Sequence, residues 1–228
     1  MLHLVICESA IELIPSQLQG SPDVVASAKT RGKKSSDLLL DRSLHHFALL
    51  RLRSAEKRGR PDLVHITALS ATNTPLFRDN MMRVYIHTIG DRVIFLGEGV
   101  RLPKNYSRFI GLMEKLFKGG GSEDKKESLL RIDTMNFKKL ISKIQPSFVV
   151  GLSRRGRPTS LNNLSTSLVK ERDPLLVIGG FPHGHFSRSV NSCLDELYSI
   201  DKHQLEAHTV TARAVYQYEV IMNQKFVQ

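Results

Sequence analysis

Short apolar runs alternate along this chain with segments whose apolar residues recur at helical spacing. Residues 148–152 and 175–178 are continuous apolar runs of strand length, whereas Phe109, Leu112 and Leu116 recur at intervals of three and four. The first pattern is typical of buried strands and the second of amphipathic helices. Strands that alternate with helices favour an α/β fold with a mainly parallel sheet flanked by helices.

Other segments complete this prediction. Residues 84–88 and 93–96, joined through Gly90 and Asp91, predict a β-hairpin, and the apolar run 63–69 predicts a further buried strand. Helices or helical turns are predicted over 10–14, 40–48, 105–117 and about 134–144, and from about residue 204 onwards. We expect one domain over residues 1–228, with 16–37 and 119–130 as exposed loops or extensions.

The charge balance points to a polyanionic partner. Lysine and arginine number 33 and aspartate and glutamate 22, so the formal net charge is +11. A surplus of this size favours nucleic acid first and an anionic membrane surface second. No apolar run approaches the roughly 18–20 residues needed to cross a bilayer, so we expect no membrane span.

The two cysteines give neither a metal site nor a disulfide framework. Cys7 and Cys193 share no metal-ligand spacing, and the chain contains no Cys-x-x-Cys pair. His183 and His185 lie two residues apart without a third ligand nearby. We therefore predict no metal, and a chain that suits a reducing cytosol.

Two basic segments could bind nucleic acid. Arg101, Lys104 and Arg108 follow one another at intervals of three and four, next to the predicted start of a helix, where free N–H groups also attract phosphate. In the second segment Pro61 stiffens the backbone, so Arg60 and Asp62 could form an ion pair in which the carboxylate aims the guanidinium. A solvated charged face and a plain surface turn are the alternatives.

A glycine-rich turn is the candidate for a ligand pocket. Gly179 and Gly180 directly follow the apolar run 175–178, and Gly184 closes the turn. Ligands of open α/β sheets bind at the carboxyl ends of the strands, where glycines let them approach the backbone. A tight strand-to-helix turn explains the same residues. The glycine patterns of P-loop and dinucleotide-binding proteins, and the serine elbow of hydrolases, are absent from the chain.

Four segments in register resemble one known family. They are residues 58–62, 101–116, 178–184 and 209–213. Together they are similar to the pseudouridine N(1)-specific ribosomal RNA methyltransferases called the Nep or essential-for-mitotic-growth family, which belong to the SPOUT class. The resemblance covers nearly the whole chain except 16–37 and 119–130.

The resemblance implies a fold, a cofactor and partners. The fold would be a SPOUT-type sheet with a trefoil knot near the carboxyl terminus, which is implied by the resemblance alone because knots are rare. The cofactor would be S-adenosylmethionine. The chain would act as a homodimer on a pseudouridine of small-subunit ribosomal RNA, would take part in small-subunit assembly with other assembly factors, and would be cytoplasmic, or nucleolar in a eukaryote.

The resemblance also implies roles for single residues. Arg60, Arg101, Lys104 and Arg108 would contact RNA, and Asp62 would hold Arg60, so that Arg60 and Asp62 are the candidate catalytic residues. Lys104 departs from the arginine that other members carry and loses the bidentate fork. The implied cofactor-binding residues are Leu152, Gly179, Gly180, Gly184, Tyr198, Ser199, Ile200, Leu205 and Val210.

Two alternatives and one mechanistic question stay open at this stage. The chain could be an rRNA-binding assembly factor without methyl transfer, which would need no cofactor cleft, or another SPOUT enzyme that acts on transfer RNA. The proton on the target nitrogen could pass to Asp62 or to water, or the positive charges nearby could favour its loss. An ion pair with Arg60 would lower the pKa of Asp62 and make it a weak base, which favours an orienting role.

Overall fold

A seven-stranded mixed sheet forms the centre of the structure, a computed structural model that describes residues 1–119 and 129–226. The strands, numbered in chain order, are β1 (Leu2–Ser9), β2 (Met82–Thr88), β3 (Arg92–Leu96), β4 (Leu130–Thr134), β5 (Phe148–Pro158), β6 (Pro174–Gly179) and β7 (Glu196–Ser199). Their order across the sheet is β4-β3-β2-β1-β6-β5-β7. The stretch β2-β1-β6-β5-β7 is parallel throughout, so the predicted mainly parallel sheet is confirmed.

The predicted hairpin is also confirmed. Strands β2 and β3 pair in antiparallel register, with Val84 opposite Leu96 and Ile86 opposite Ile94. Strand β4 extends this edge by pairing antiparallel with β3. The sequence pattern did not predict β4, because its side chains are only partly buried and carry no apolar run. The predicted trefoil knot stays a prediction.

Helices cover both faces of the sheet. They are α1 (Pro22–Thr30), α2 (His46–Leu49), α3 (Pro61–Thr72), α4 (Pro75–Arg78), α5 (Tyr106–Phe117), α6 (Phe137–Ile144), α7 (Leu161–Lys170), α8 (Arg188–Asn191) and α9 (Ala207–Phe226). Leu4 and Ile6 of β1 face a core built with α3, α5, α7 and α9. Val5 and Cys7 point to the opposite face, which α6 and α8 cover.

The strand predicted over residues 63–69 is wrong, since this run lies in helix α3. Leu63, Val64 and Ala68 are buried in the core between the sheet and the neighbouring helices. In a helix that is buried on several sides, the apolar residues show no helical period in the sequence. A short apolar run of this kind cannot be distinguished from a strand. Pro61 at the first helical position and Asp62 in the first turn start the helix.

The amino-terminal segment, residues 10–49, also differs from the prediction. Residues 10–14 are not helical, and Leu13 forms an antiparallel bridge with Leu39. The loop predicted over 16–37 contains helix α1, whose Val24 and Ala28 are buried in a separate small core. Of the helix predicted over 40–48, only the four-residue helix α2 is present at its end, and Phe47 of this helix is 75% exposed.

A buried carboxylate attaches this amino-terminal segment to helix α5. Glu114 accepts hydrogen bonds from Arg31 at 2.7 and 2.9 Å, from Lys33 at 2.6 Å and from the Leu39 N–H at 3.2 Å. Arg31 and Lys33 are therefore held by an acid that lies 83 and 81 positions farther along the chain, which no local pattern could indicate.

The remaining predicted elements agree in part. Helix α5 begins after Asn105 as predicted, and α6 begins at Phe137 rather than at 134. The loop predicted over 119–130 lies mostly outside the described residues, which resume at 129. Within residues 1–119 and 129–226, none of the helices combines the length and the apolar content that a bilayer span requires. The single domain stays a prediction.

Candidate active site

A pocket lies where β6 and β7 end and β5 continues past them. Its volume is about 820 Å³, including the space at its mouth. Its lining residues come from three segments: 152–154 within β5, 178–186 from the end of β6 into the following loop, and 199–210 from the end of β7 to the first turn of α9. Parallel strands end at a common edge, so their connecting loops meet there and form a cleft that a ligand can enter.

Seven of the nine predicted cofactor residues line this pocket. They are Leu152, Gly179, Gly184, Ser199, Ile200, Leu205 and Val210. Gly180 and Tyr198 do not line it. The Gly180 N–H donates to the Cys7 carbonyl at 2.8 Å, and the Tyr198 hydroxyl accepts a hydrogen bond from Arg157 at 3.0 Å. These two residues shape the strand ends instead of facing the cleft.

Sequence reasoning missed several charged and polar residues of the pocket. Arg154 and Glu206 line it, and neither forms an ion pair within the described part of the chain. The Oγ atom of Ser153 lies 3.3 Å from Nδ1 of His185. Partial burial, together with the positive charges of Arg155 and Arg154, lowers the pKa of His185. In the sequence, the basic residues at 154–157 could have indicated Arg154, and His185 was considered only as a metal ligand.

The predicted pairing of Arg60 with Asp62 is present at the start of α3. Nε and Nη2 of Arg60 donate to the two oxygens of Asp62, each at 2.9 Å. The side chains are 36% and 42% exposed. Burial opposes the charge of Asp62, but the hydrogen bonds and the charge of Arg60 outweigh it and lower the pKa of Asp62. The carboxylate therefore aims a charged guanidinium and is a weak base.

Backbone hydrogen bonds connect this pair to the edge of the sheet beside the pocket. The Arg60 N–H donates to the Ala10 carbonyl at 3.0 Å, and the Ala10 N–H donates to the Gly180 carbonyl at 2.8 Å. Gly180 follows Gly179, which lines the pocket. The charge of Glu206, another lining residue, also acts on Arg60. The backbone of Arg60 is therefore held close to the cleft.

The basic segment before α5 presents three cations to solvent. Arg101, Lys104 and Arg108 are exposed, and none forms an ion pair within residues 1–119 and 129–226. Asn105 caps the helix, since its Oδ1 accepts from the Arg108 N–H at 3.0 Å. The cap holds the start of α5 and so fixes the backbone that carries all three cations.

Two contacts attach this segment to its surroundings. His65 of α3 lies 2.6 Å from the Pro103 carbonyl through Nε2, and its ring stacks on Phe109 at 4.2 Å. The Tyr106 hydroxyl donates to Asp41 at 2.7 Å. Burial and this hydrogen bond raise the pKa of Tyr106. The tyrosine is a structural contact, and α3 carries both Arg60 and the anchor of the second basic segment.

The structure holds no obvious metal centre in the described residues. Across 1–119 and 129–226, no three His, Cys, Asp or Glu side chains are grouped so that they could hold an ion. Cys7 is buried and Cys193 is partly exposed, and both are free thiols.

Comparison with known proteins agrees with this geometry. The model of the EMG1/NEP1 methyltransferase family matches residues 4–219. The chain belongs to this family. The resemblance noted in the sequence is therefore confirmed, and so is the prediction that the chain is a methyltransferase.

Relatives match over nearly their whole length. The ribosomal RNA small subunit methyltransferase Nep1 of Thermococcus kodakarensis is 38% identical over 97% of this chain and 99% of its own length. Nep1 of Pyrococcus furiosus is 39% identical over 96% of each. The crystal structure of Archaeoglobus fulgidus Nep1 bound to S-adenosylhomocysteine matches with a TM-score of 0.84 at 33% identity, and covers 96% of this chain and 98% of that one. S-adenosylhomocysteine is S-adenosylmethionine without its methyl group, which agrees with the predicted cofactor.

Proposed function

We propose that this EMG1/NEP1 family member transfers a methyl group from S-adenosylmethionine to N1 of a pseudouridine in small-subunit ribosomal RNA. The observation that carries the proposal is the position of Arg60, whose backbone is linked through Ala10 to the Gly179-Gly180 turn of the pocket. A cofactor in this pocket and a nucleotide held by Arg60 would lie next to one another. Family relatives named as methyltransferases of small-subunit ribosomal RNA support the substrate class.

The pocket fits the chemistry of the cofactor. Leu152, Ile178 and Val210 offer apolar contacts to a purine ring, and backbone groups of the loops offer hydrogen bonds. Arg154 and Glu206 can face the carboxylate and the ammonium group of the amino-acid end. When bound, S-adenosylmethionine supplies a methyl group on a positively charged sulfur, so the protein's task is chiefly to align the acceptor.

The acceptor nitrogen explains the preference for pseudouridine. N1 of pseudouridine carries a proton, whereas the corresponding nitrogen of uridine is bonded to the sugar. The enzyme must place this N–H at the pocket and let the proton leave. The base must first leave its stack, which costs a few kcal/mol and least in a loop.

Arg60, Arg101, Lys104 and Arg108 would offset that cost by binding phosphates of the RNA. Three of these cations are exposed without an acidic partner in the described residues, so their charge is available to a polyanion. Lys104 would act as a point charge rather than as a fork.

Asp62 would orient Arg60 rather than take the proton. Its pKa is lowered by Arg60, after opposition from burial, and a carboxylate of low pKa is a weak acceptor for an N–H proton at neutral pH. The positive charge of Arg60 would then stabilise the deprotonated ring, so that the N–H proton leaves to solvent. The homodimer, the role in small-subunit assembly with other assembly factors, and the cytoplasmic location belong to this proposal through the family resemblance.

Radiolabelled methyl transfer tests the proposal. We expect incorporation into an RNA hairpin with pseudouridine in its loop and none into the same hairpin with uridine. Equal labelling of both hairpins would overturn the N1 assignment. An assembly factor without methyl transfer would label neither and would bind no S-adenosylmethionine in calorimetry.

A further inference from the structure

One side chain, Lys57, contacts both the pocket loop and the first strand. Its Nζ donates to Oε2 of Glu8 at 2.8 Å and also to the His185 carbonyl. The same ammonium lies 4.2 Å from the centre of the Phe181 ring. The Lys57 side chain is only 13% exposed, so these three contacts are made largely out of water and are correspondingly strong.

Glu8, the partner of Lys57, is itself held in a constrained position. Its backbone has a φ of +49°, in the left-handed region that few residues other than glycine adopt. Its carboxylate accepts from the Ser187 N–H at 3.1 and 3.3 Å, and its own N–H donates to Nδ1 of His87 at 3.3 Å. Both ends of the loop from Phe181 to Ser187 are thus tied to Glu8, either directly or through Lys57.

The loop held in this way is a wall of the pocket. Phe181, Gly184 and His185 all line it. Gly184 has a φ of +97°, and a Cβ atom there would lie 3.1 Å from Cε of Lys57. The lysine stem therefore packs directly under the glycine turn and supports its shape.

Lys57 is also close along the chain to Arg60. Lys57 ends a short 3₁₀ turn, Ala55–Lys57, three residues before Arg60. The Arg60 N–H is anchored on Ala10, two residues after Glu8. A shift of the pocket loop would pull Lys57, and with it the segment that carries Arg60.

We propose that Lys57 is a positioning residue that holds the pocket loop against the Arg60 segment and so couples cofactor binding to RNA binding. This inference rests on the proposed function for the identity of the two ligands. Two sites joined by rigid contacts influence each other reciprocally, because the ligand that orders a contact prepares it for the other ligand.

A plain structural ion pair is the alternative, and the neighbouring residue supplies the control. Arg58 forms a comparable ion pair with Glu12, in which Nε donates to Oε1 at 2.7 Å, with side chains 18% and 11% exposed. Neither Arg58 nor Glu12 lines the pocket. Lys57→Met and Arg58→Met therefore break similar pairs, of which only the first touches the pocket loop.

The binding of S-adenosylhomocysteine to the full chain, measured by calorimetry, tests the proposal. Lys57→Met should raise Kd by about 10- to 100-fold, as expected when a supporting residue lets a site move by about 1 Å, whereas Arg58→Met should change it less than about threefold. Lys57→Met leaves the Glu8 carboxylate unpaired and will lower Tm. The double variant Glu8→Gln with Lys57→Met removes both charges and should recover Tm without recovering the affinity.

RNA affinity, measured with and without saturating S-adenosylhomocysteine, tests the coupling. For the parent we expect the two Kd values for a pseudouridine hairpin, with and without S-adenosylhomocysteine, to differ by about fivefold or more. In the double variant their ratio should fall toward one. A double variant with the parent's affinity for S-adenosylhomocysteine, or a parent whose RNA affinity ignores S-adenosylhomocysteine, would overturn the proposal. Failure to methylate the hairpin would overturn the proposed function but leave the calorimetric comparison intact.

Discussion

Arg60 and Asp62 form a two-pronged ion pair across a proline, and this geometry sets the charge of both groups. The hydrogen bond from Arg60 lowers the pKa of Asp62 against the effect of burial, and the hydrogen bond to Asp62 raises the pKa of Arg60. Both groups therefore stay charged at neutral pH. A rigid, aimed guanidinium suits the bidentate recognition of a phosphate.

Asp62→Asn should weaken RNA binding more than it slows the chemical step. The amide keeps one acceptor for Arg60 but loses the charge, and hydrogen bonds to charged groups contribute about 1.5–3 kcal/mol, so we expect Kd for the RNA to rise about tenfold. Filter binding and single-turnover methyl transfer measure the two effects. The control is Asp79→Asn, since Asp79 is exposed at the end of α4. A collapse of the single-turnover rate at an unchanged Kd would instead identify Asp62 as the base.

His87 makes the stability of the protein depend on pH. Burial lowers its pKa and outweighs the effect of its contact with Asp91. Nδ1 accepts from the Glu8 N–H, and Nε2 lies 3.1 Å from Asp91, which favours the neutral ring with its proton on Nε2.

Because the unfolded state takes up the proton at about pH 6.5 and the folded state only at lower pH, the free energy of unfolding should fall as pH drops below about 6.5. Chemical denaturation at pH 7 and pH 5 measures this loss, which should be smaller in His87→Gln. NMR titration of the ring above pH 6.5 would contradict the expectation.

At the scale of elements, β5 and β7 cross closely beside the pocket. Strand β5 pairs with β7 at Val150–Leu152 and again at Arg157 and Pro158, with a shift of register between the two stretches. Gly156 lies in this shift, and a Cβ atom there would overlap the backbone of Tyr198. Only glycine lets the two backbones approach this closely.

Gly156→Ala should destabilise the fold by about 1–3 kcal/mol, because the added methyl group must push the strands apart. It should also weaken the binding of S-adenosylhomocysteine, since both strands contribute to the pocket wall. The matched control is Gly111→Ala in the interior of α5, where nothing lies within 4 Å of the added carbon. That variant should stabilise the fold by about 0.5–1 kcal/mol. Denaturant melts that show the same sign for both would contradict the close crossing.

At the scale of the whole molecule, the cations behind the net charge of +11 differ in whether they have an acidic partner. Many cations are neutralised by acidic partners, as Arg58 is by Glu12 and Arg31 by Glu114. Arg101, Lys104 and Arg108 have no such partner in the described residues and surround the start of α5. Three free cations therefore lie together at one end of a helix that α3 holds in place.

The salt dependence of RNA binding should report these free cations one by one. Each phosphate contact releases counterions, so Arg101→Gln and Arg108→Gln should each reduce the slope of log K against log salt by about 0.7–0.9. The control is Arg172→Gln, at a position 93% exposed near the amino ends of the parallel strands and away from the pocket. An equal change of slope for Arg172→Gln would mean that the RNA is bound by diffuse charge alone.

The local chemistry of the sequence determined those features whose partners lie close along the chain. The β2–β3 hairpin, the Asn105 cap and the Arg60–Asp62 pair each span only a few residues, and the apolar runs of β5 and β6 identify buried strands whatever surrounds them. The glycines after β6 marked the pocket edge, and seven predicted residues line it.

Tertiary structure alone decided where distant segments meet. Residues 63–69 were predicted as a strand because α3 is buried on several sides, so that its apolar residues show no helical period. Arg154, Glu206 and Lys57 join the site only because strand ends, the start of α9 and a 3₁₀ turn converge there. Such contacts depend on burial and on the crossing of strands, and these are properties of the packed chain that no local spacing of residues encodes.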